Sequence, residues 1–148
     1  MRLYAYCGSP AVYPDPFFMP GKKRPAGTKF QQVHVYHLLM NLSRLYTEFS
    51  MDMPKALLEV NQAAHGALFR IGQCIFLAAN TPREEAQKKL DHLVDGQLHV
   101  KELYNAFYYM VNSKAVTHGG FEHLCSEAMK IYDELENWKV ALYGKNKL

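Results

Sequence analysis

Seven histidines and three cysteines are the residues in this chain with the first claim to chemistry. His34 and His37 stand three apart, which on a helix sets two imidazoles on one face, the geometry of a metal-ligand pair or an acid–base couple. A carboxylate-bridged metal site in a helical bundle also needs a Glu-x-x-His pair and inward glutamates on several helices. No such pair follows, and Glu48, Glu59, Glu102 and Glu127 mostly fall off the apolar rows described below. Cys7, Cys74 and Cys125 are odd in number and far apart, which supports neither a disulfide framework nor a zinc knuckle and fits a reducing cytoplasm. Cys74 and Cys125 lie on apolar helical rows, where a thiol packs as a small hydrophobe. Helical-bundle ribonucleases of the HEPN type carry a histidine a few residues after an arginine, and no arginine here precedes a histidine at that spacing. A glycine-rich phosphate loop and a G-x-S-x-G elbow are also missing. The chain therefore reads as a non-enzyme with no catalytic residue, metal or cofactor assigned.

The remaining polar chemistry is basic, and it is unevenly spread. Residues 1–29 hold Arg2, Lys22, Lys23, Arg24 and Lys29 against Asp15 alone, a net +4, whereas the rest of the chain sums to −1. In the body, Arg44, Lys55, Arg70, Arg83, Lys88, Lys89, Lys101, Lys114, Lys130 and Lys139 are scattered among acids, as on a solvated surface. A phosphate-binding face arises if assembly gathers Lys55, Arg70 and the Lys22-Lys23-Arg24 run on one side.

These residues must be carried by two unlike regions. Five of the seven prolines, Pro10, Pro14, Pro16, Pro20 and Pro25, fall within residues 1–29 together with Gly8, Gly21 and Gly27, so no helix or central strand persists there. This extended arm also carries Tyr4, Tyr6, Tyr13, Phe17 and Phe18, too much aromatic surface for a passive linker. It is expected to lie against an apolar surface, on its own body or on a neighbour. No segment has the apolar length of a membrane span, and no apolar stretch of signal-peptide type follows Arg2.

Residues 30–148 show four amphipathic helical stretches, roughly 30–50, 54–80, 82–112 and 118–143. Val35, Leu38, Leu39, Leu42, Leu45, Tyr46 and Phe49 make the first stripe. Pro54 is expected at the first position of the second helix, where its missing amide costs nothing. There Leu57, Ala64, Ile71 and Ala78 recur every seven residues with Val60, Leu68 and Ile75 between them, and alanines and glycines keep the surface thin for a close neighbour. Thr81 and Pro82 read as the cap and first turn of the third helix, with Glu84 and Glu85 at its positive end. Its row runs Ala86, Leu90, Leu93, Gln97, Val100, Tyr104, Phe107 and Val111, which makes Gln97 an interior hydrogen-bonding candidate. The fourth row, Phe121, Leu124, Ala128, Ile131, Leu135, Trp138 and Leu142, alternates steps of three and four, and Gly144 is expected to end the helix. Short breaks between such helices predict an all-α, antiparallel up-down-up-down four-helix bundle.

Several marks occur in order: Met53-Pro54-Lys55 after an aromatic-ended first helix, Ile71-Gly72-Gln73, Ile75-Phe76-Leu77-Ala78-Ala79, Lys88-Lys89-Leu90, Leu103-Tyr104 to Met110, Phe121-Glu122-His123-Leu124, Ile131 and a late Trp138. Over about 115 residues, from Phe30 to Tyr143, they make the chain resemble the four-helix-bundle family of the 23S ribosomal RNA intervening-sequence proteins and the accessory variability determinant (Avd) of diversity-generating retroelements. Helix length and the late tryptophan resemble the Avd branch.

That resemblance implies a non-catalytic homo-oligomer, a pentamer in the Avd branch. It would bind the retroelement reverse transcriptase and template-repeat RNA during mutagenic cDNA synthesis. Lys55, Arg70, Lys88, Lys89 and Lys139, which lie in the matching segments, would contact RNA or polymerase. Avd-type bodies are strongly basic and this body is not, so Lys22, Lys23, Arg24 and Lys29 of the arm would supply the missing charge. The alternative is a homo-oligomeric interaction module of the intervening-sequence type with no nucleic-acid role.

Overall fold

A computed structural model describes residues 29–146, with side chains described for residues 32–144. The expected aromatic arm lies outside the described residues, apart from Lys29 at the start of the first helix.

The described chain is all-helical, with no strand among the described residues. Its four long helices are α1 (Lys29–Ser50), α2 (Leu58–Asn80), α3 (Ala86–Asn112) and α4 (His118–Asn146). Helices α2 and α3 begin later than their prolines. Pro54 and Pro82 both adopt extended backbone, with ψ of 145° and 149°, and each is followed by a short 3-10 turn, Lys55–Leu57 and Arg83–Glu85. A pyrrolidine ring fixes φ but leaves ψ free, and here the extended ψ makes each proline a hinge before the helix instead of its first residue. Thr81 closes α2 rather than capping α3: its amide and its hydroxyl both donate to the Leu77 carbonyl, at 3.0 and 2.6 Å. The fourth helix continues through Gly144 to Asn146.

Local chemistry explains the break between α3 and α4. Lys114 takes a positive φ of 61°, and the Lys114 and Ala115 amides donate to the Val111 and Met110 carbonyls, a left-handed C-cap that ends α3. Thr117 then accepts the Gly120 amide at 3.0 Å and caps α4.

Each helix packs against two others, in the cycle α1, α2, α3, α4 and back to α1. Helices α2 and α3 form the most extensive seam, while α1 and α2 are the least closely packed of these neighbours. The interior is built from Val35, Leu39, Leu42, Ile71, Ile75, Leu93, Phe107, Leu124, Ile131, Leu135 and Trp138, each 5% exposed or less. Tyr46 is also buried, its ring edge-on to His65 and its hydroxyl donating to Asn61 Oδ1 at 2.7 Å; burial pushes its phenol well above the ordinary range. The Trp138 indole N–H is buried with no hydrogen-bond acceptor among the described residues, a cost of about 1–3 kcal/mol that its packing area offsets.

The α4 row is buried as its spacing predicts, Phe121 alone being partly exposed. The α3 row is corrected. Leu93, Val100 and Phe107 form its spine, but the second flank is Lys89, Gly96, Leu103 and Met110, whereas Leu90 and Val111 are half-buried and Tyr104 is 38% exposed. Both flanks fit a three–four alternation around the same spine. Gly96 belongs to the buried flank, and a β-carbon built there lies 3.3 Å from both Cys74 and Leu135, so any larger residue would require these neighbours on α2 and α4 to give way.

Candidate functional site

The residues expected to bind phosphate do not form one surface within the described body. Lys22, Lys23 and Arg24 lie outside the described residues, and Lys29 opens α1. Lys55 is exposed on the 3-10 turn before α2. Arg70, on the outer side of α2, donates to Glu102 Oε2 at 3.2 Å. The same oxygen receives His99 Nδ1 at 3.1 Å, and the His99 hydrogen bond, aided by Arg70, holds the Glu102 carboxyl below its usual range. Arg70, Glu102 and His99 thus form a surface ion cluster in which a carboxylate neutralises the guanidinium.

Lys88 is exposed at the start of α3, 3.8 Å from Glu85. Lys139 bridges α4 to α3, donating to Gln97 Oε1 at 2.9 Å and to Glu136 Oε1 at 3.2 Å. Gln97 in turn donates to Glu136 Oε1 at 3.1 Å, and its bond, with that of Lys139, keeps the Glu136 carboxyl below its usual range. Gln97 is therefore the interior polar group its place in the sequence predicts, and Lys139 serves to satisfy it.

Lys89 is the clear correction. It is fully buried between helices, with Nζ donating to the Ala78 carbonyl at 2.6 Å. Ala78 lies in the last α2 turn and the residue four on is Pro82, which has no amide to donate, so the ammonium of the next helix supplies the donor at the negative helix end. Burial pushes the Lys89 ammonium below the ordinary lysine range. Such a lysine is a structural cap, withdrawn from any phosphate.

Cys74 and Cys125 are buried free thiols, as their rows predict. Burial, with help from Asp95, pushes Cys74 up to about 11, which leaves it protonated and unreactive at neutral pH. His34 lies 3.2 Å from Glu134 of α4. Among the described residues no group of three histidine, cysteine or acidic side chains is placed to hold a metal.

What the periodicity did not flag is apolar surface. On α3, Val94, Leu98, Tyr108 and Tyr109 are each 47–55% exposed, and Tyr104 joins them at 38%. Phe121 of α4 lies edge-on to both Tyr104 and Tyr108, with centroids 6.1 and 6.0 Å away, so the aromatic cluster spans two helices. Lys101 extends over the Tyr132 ring beside it, 5.8 Å from the centroid. On α2, Phe69 is 69% exposed, and Phe76 and Leu77 follow it. Tyr104 and Phe121 were read as members of the α3 and α4 rows, and the others were legible only as apolar positions that fit no seam. Among the described residues no helix is long and apolar enough to cross a membrane, so this surface is not a membrane span.

No protein-family model matches this chain, and neither a curated protein nor a solved structure does. Function must therefore be argued from the residues and their surface.

Proposed function

We propose that this chain is a non-catalytic accessory subunit of a diversity-generating retroelement. It acts in the cytoplasm as a homo-oligomer that binds the reverse transcriptase and its template RNA, with no cofactor of its own. The observation that carries this reading is the aromatic cluster in which the exposed Tyr104 and Tyr108 meet the half-buried Phe121, with Val94 and Leu98 also exposed on α3. Exposed apolar and aromatic surface of this kind marks a contact site, and tyrosines dominate such sites because they combine area with low entropy cost. An up-down-up-down bundle, as in the resembled family, is supported by contacts that run in opposite directions along neighbours. Tyr46 meets Asn61 while Leu39 approaches Gly72, and His34 meets Glu134 while Phe49 approaches Gly120. The net +4 of residues 1–29 supports the RNA contact, through Lys22, Lys23, Arg24 and Lys29.

A second reading, an oligomeric protein-interaction module with no nucleic-acid role, is favoured by one observation. Arg70, Lys88 and Lys139 each lie against a carboxylate, and Lys89 is buried. Co-purification with a reverse transcriptase encoded beside this gene, at moderate salt and with template RNA, separates the two. Association that weakens as salt rises is the expected result. No association with enzyme or RNA, in a chain whose solution mass still shows an oligomer, would establish the second reading.

A further inference from the structure

A groove of about 560 Å³ runs between α1 and α2, lined by Tyr36, Leu39 and Met40 on one side and by Phe69, Phe76 and Leu77 on the other. It exists because these two helices are the least closely packed neighbours and because Gly72 adds no side chain to its floor, where Leu39 comes to rest. These six supply three rings and three aliphatic or thioether groups, with Phe69 among the most exposed large apolar side chains described.

We propose that this groove receives the chain's own segment Pro10–Pro20. Position comes first. Tyr36 lies seven residues into α1, roughly 10 Å along the axis from Lys29. Residues 21–28, extended, reach up to about 28 Å, ample to turn back along α1 and lay the preceding segment over the groove. Chemistry comes second. The segment Pro10-Ala-Val-Tyr-Pro-Asp-Pro-Phe-Phe-Met-Pro20 alternates proline with aromatic residues. Proline removes amide donors that an apolar groove would leave unpaired, and it holds the chain extended before docking, which lowers the ordering entropy. Proline-rich segments dock in aromatic-lined grooves for this reason.

Docking has a functional consequence independent of which partner the subunit serves. With the segment docked, Lys22-Lys23-Arg24 lies between two fixed points, the groove and the α1 N-terminus. A basic run so held presents its charge in one direction.

The test uses the full chain with p-benzoylphenylalanine in place of Phe69, irradiated as an equal mixture of light and heavy-nitrogen-labelled protein. Cross-linked peptides joining position 69 to residues 10–20 within one isotope class are expected. Cross-links to the arm only between light and heavy chains would overturn the proposal in favour of a neighbouring copy's arm, and cross-links that avoid the arm altogether would overturn it outright. A second variant, Phe17→Ser with Phe18→Ser, leaves the helical core untouched. It should bind a hydrophobic dye severalfold more strongly at unchanged helical circular dichroism, and equal dye binding would also overturn the proposal.

Discussion

Helix α2 has one flank closed and one open, and the same residue type serves opposite ends on the two sides. Toward α3, small residues bring backbones together: Ala64, Ala67 and Ala78 are buried, and Gly96 of α3 seats against Cys74. That seam is then fastened by polar contacts, Lys89 on the Ala78 carbonyl at its inner end and Arg70 on Glu102 at its outer edge. Toward α1, Gly72 does not draw the helices into contact along their length; beside it Phe69 and Phe76 line a groove and are 69% and 47% exposed. Thin residues thus close a seam only where the opposite helix also offers a thin surface. Where it offers Tyr36, Leu39 and Met40, they leave a groove.

The sharpest break of this comparison uses two adjacent residues. Ile75 is 1% exposed and lies in the core, so Ile75→Ala should cost about 2–5 kcal/mol. Phe76, next to it and 47% exposed on the open side, should cost under about 1 kcal/mol when replaced by Ala despite its larger ring. Chemical denaturation of both variants measures the difference. Similar losses for the two would mean that the groove is a packed wall.

Gly96 sharpens the closed side. A β-carbon there meets two neighbours at 3.3 Å, and a leucine side chain must displace them, so Gly96→Leu is expected to destabilise by about 3 kcal/mol. A circular dichroism melt showing no loss would mean that α3 can rotate onto its other flank, the one through Tyr104 and Val111.

Those two flanks also show what could be read from residues alone. The α4 row was legible because an apolar residue recurs at every third or fourth position without a break from Phe121 to Leu142. Gln97 was legible because a lone polar residue in an apolar row needs a partner, and it has one in Glu136. In α3 the spine of Leu93, Val100 and Phe107 was legible but its flank was not. Lys89 carries a charge and Gly96 carries no side chain, so the true flank looked poorer than that of Leu90 and Tyr104, and only the approach of α2 and α4 selects it. The exposed aromatic cluster was hidden for the converse reason. Tyr104 was placed in the core because an aromatic at seam spacing looks like core, and composition holds no sign that a face is left uncovered. The arm, which carries most of the chain's excess charge, was identified by its prolines and aromatics, while its occupancy of any surface depends on contacts that no local pattern specifies.

Lys89 gives a smaller, pH-dependent effect on the closed side. Burial lowers its folded pKa, so between that value and the ordinary lysine value of about 10.4 the unfolded chain binds more protons than the folded one, and stability rises with pH there. Below the folded value the full cost of the buried ammonium is present. Lys89→Met keeps the length of the side chain and removes the charge, at the loss of one hydrogen bond to Ala78. A net gain of about 1 kcal/mol at neutral pH is expected, shrinking as pH approaches 10. Thermal unfolding at pH 7 and pH 10 measures it; a gain that grows with pH would show that the ammonium stabilises the seam.

Gly72 gives the smallest effect and the most direct test of the open side. It lies inside α2, where alanine is favoured over glycine by about 0.5–1 kcal/mol because the unfolded chain loses freedom. A β-carbon at this position lies 3.4 Å from Leu39 Cδ2, an ordinary contact, so nothing offsets that gain. Gly72→Ala is therefore expected to raise the denaturation midpoint slightly, the opposite sign to Gly96→Leu. The added methyl also raises the groove floor, so whatever occupies the groove should be held less deeply while the fold is held more firmly. A loss of stability instead would mean that α1 and α2 already touch as closely as α2 and α3, and the asymmetry between the two flanks of α2 would be gone.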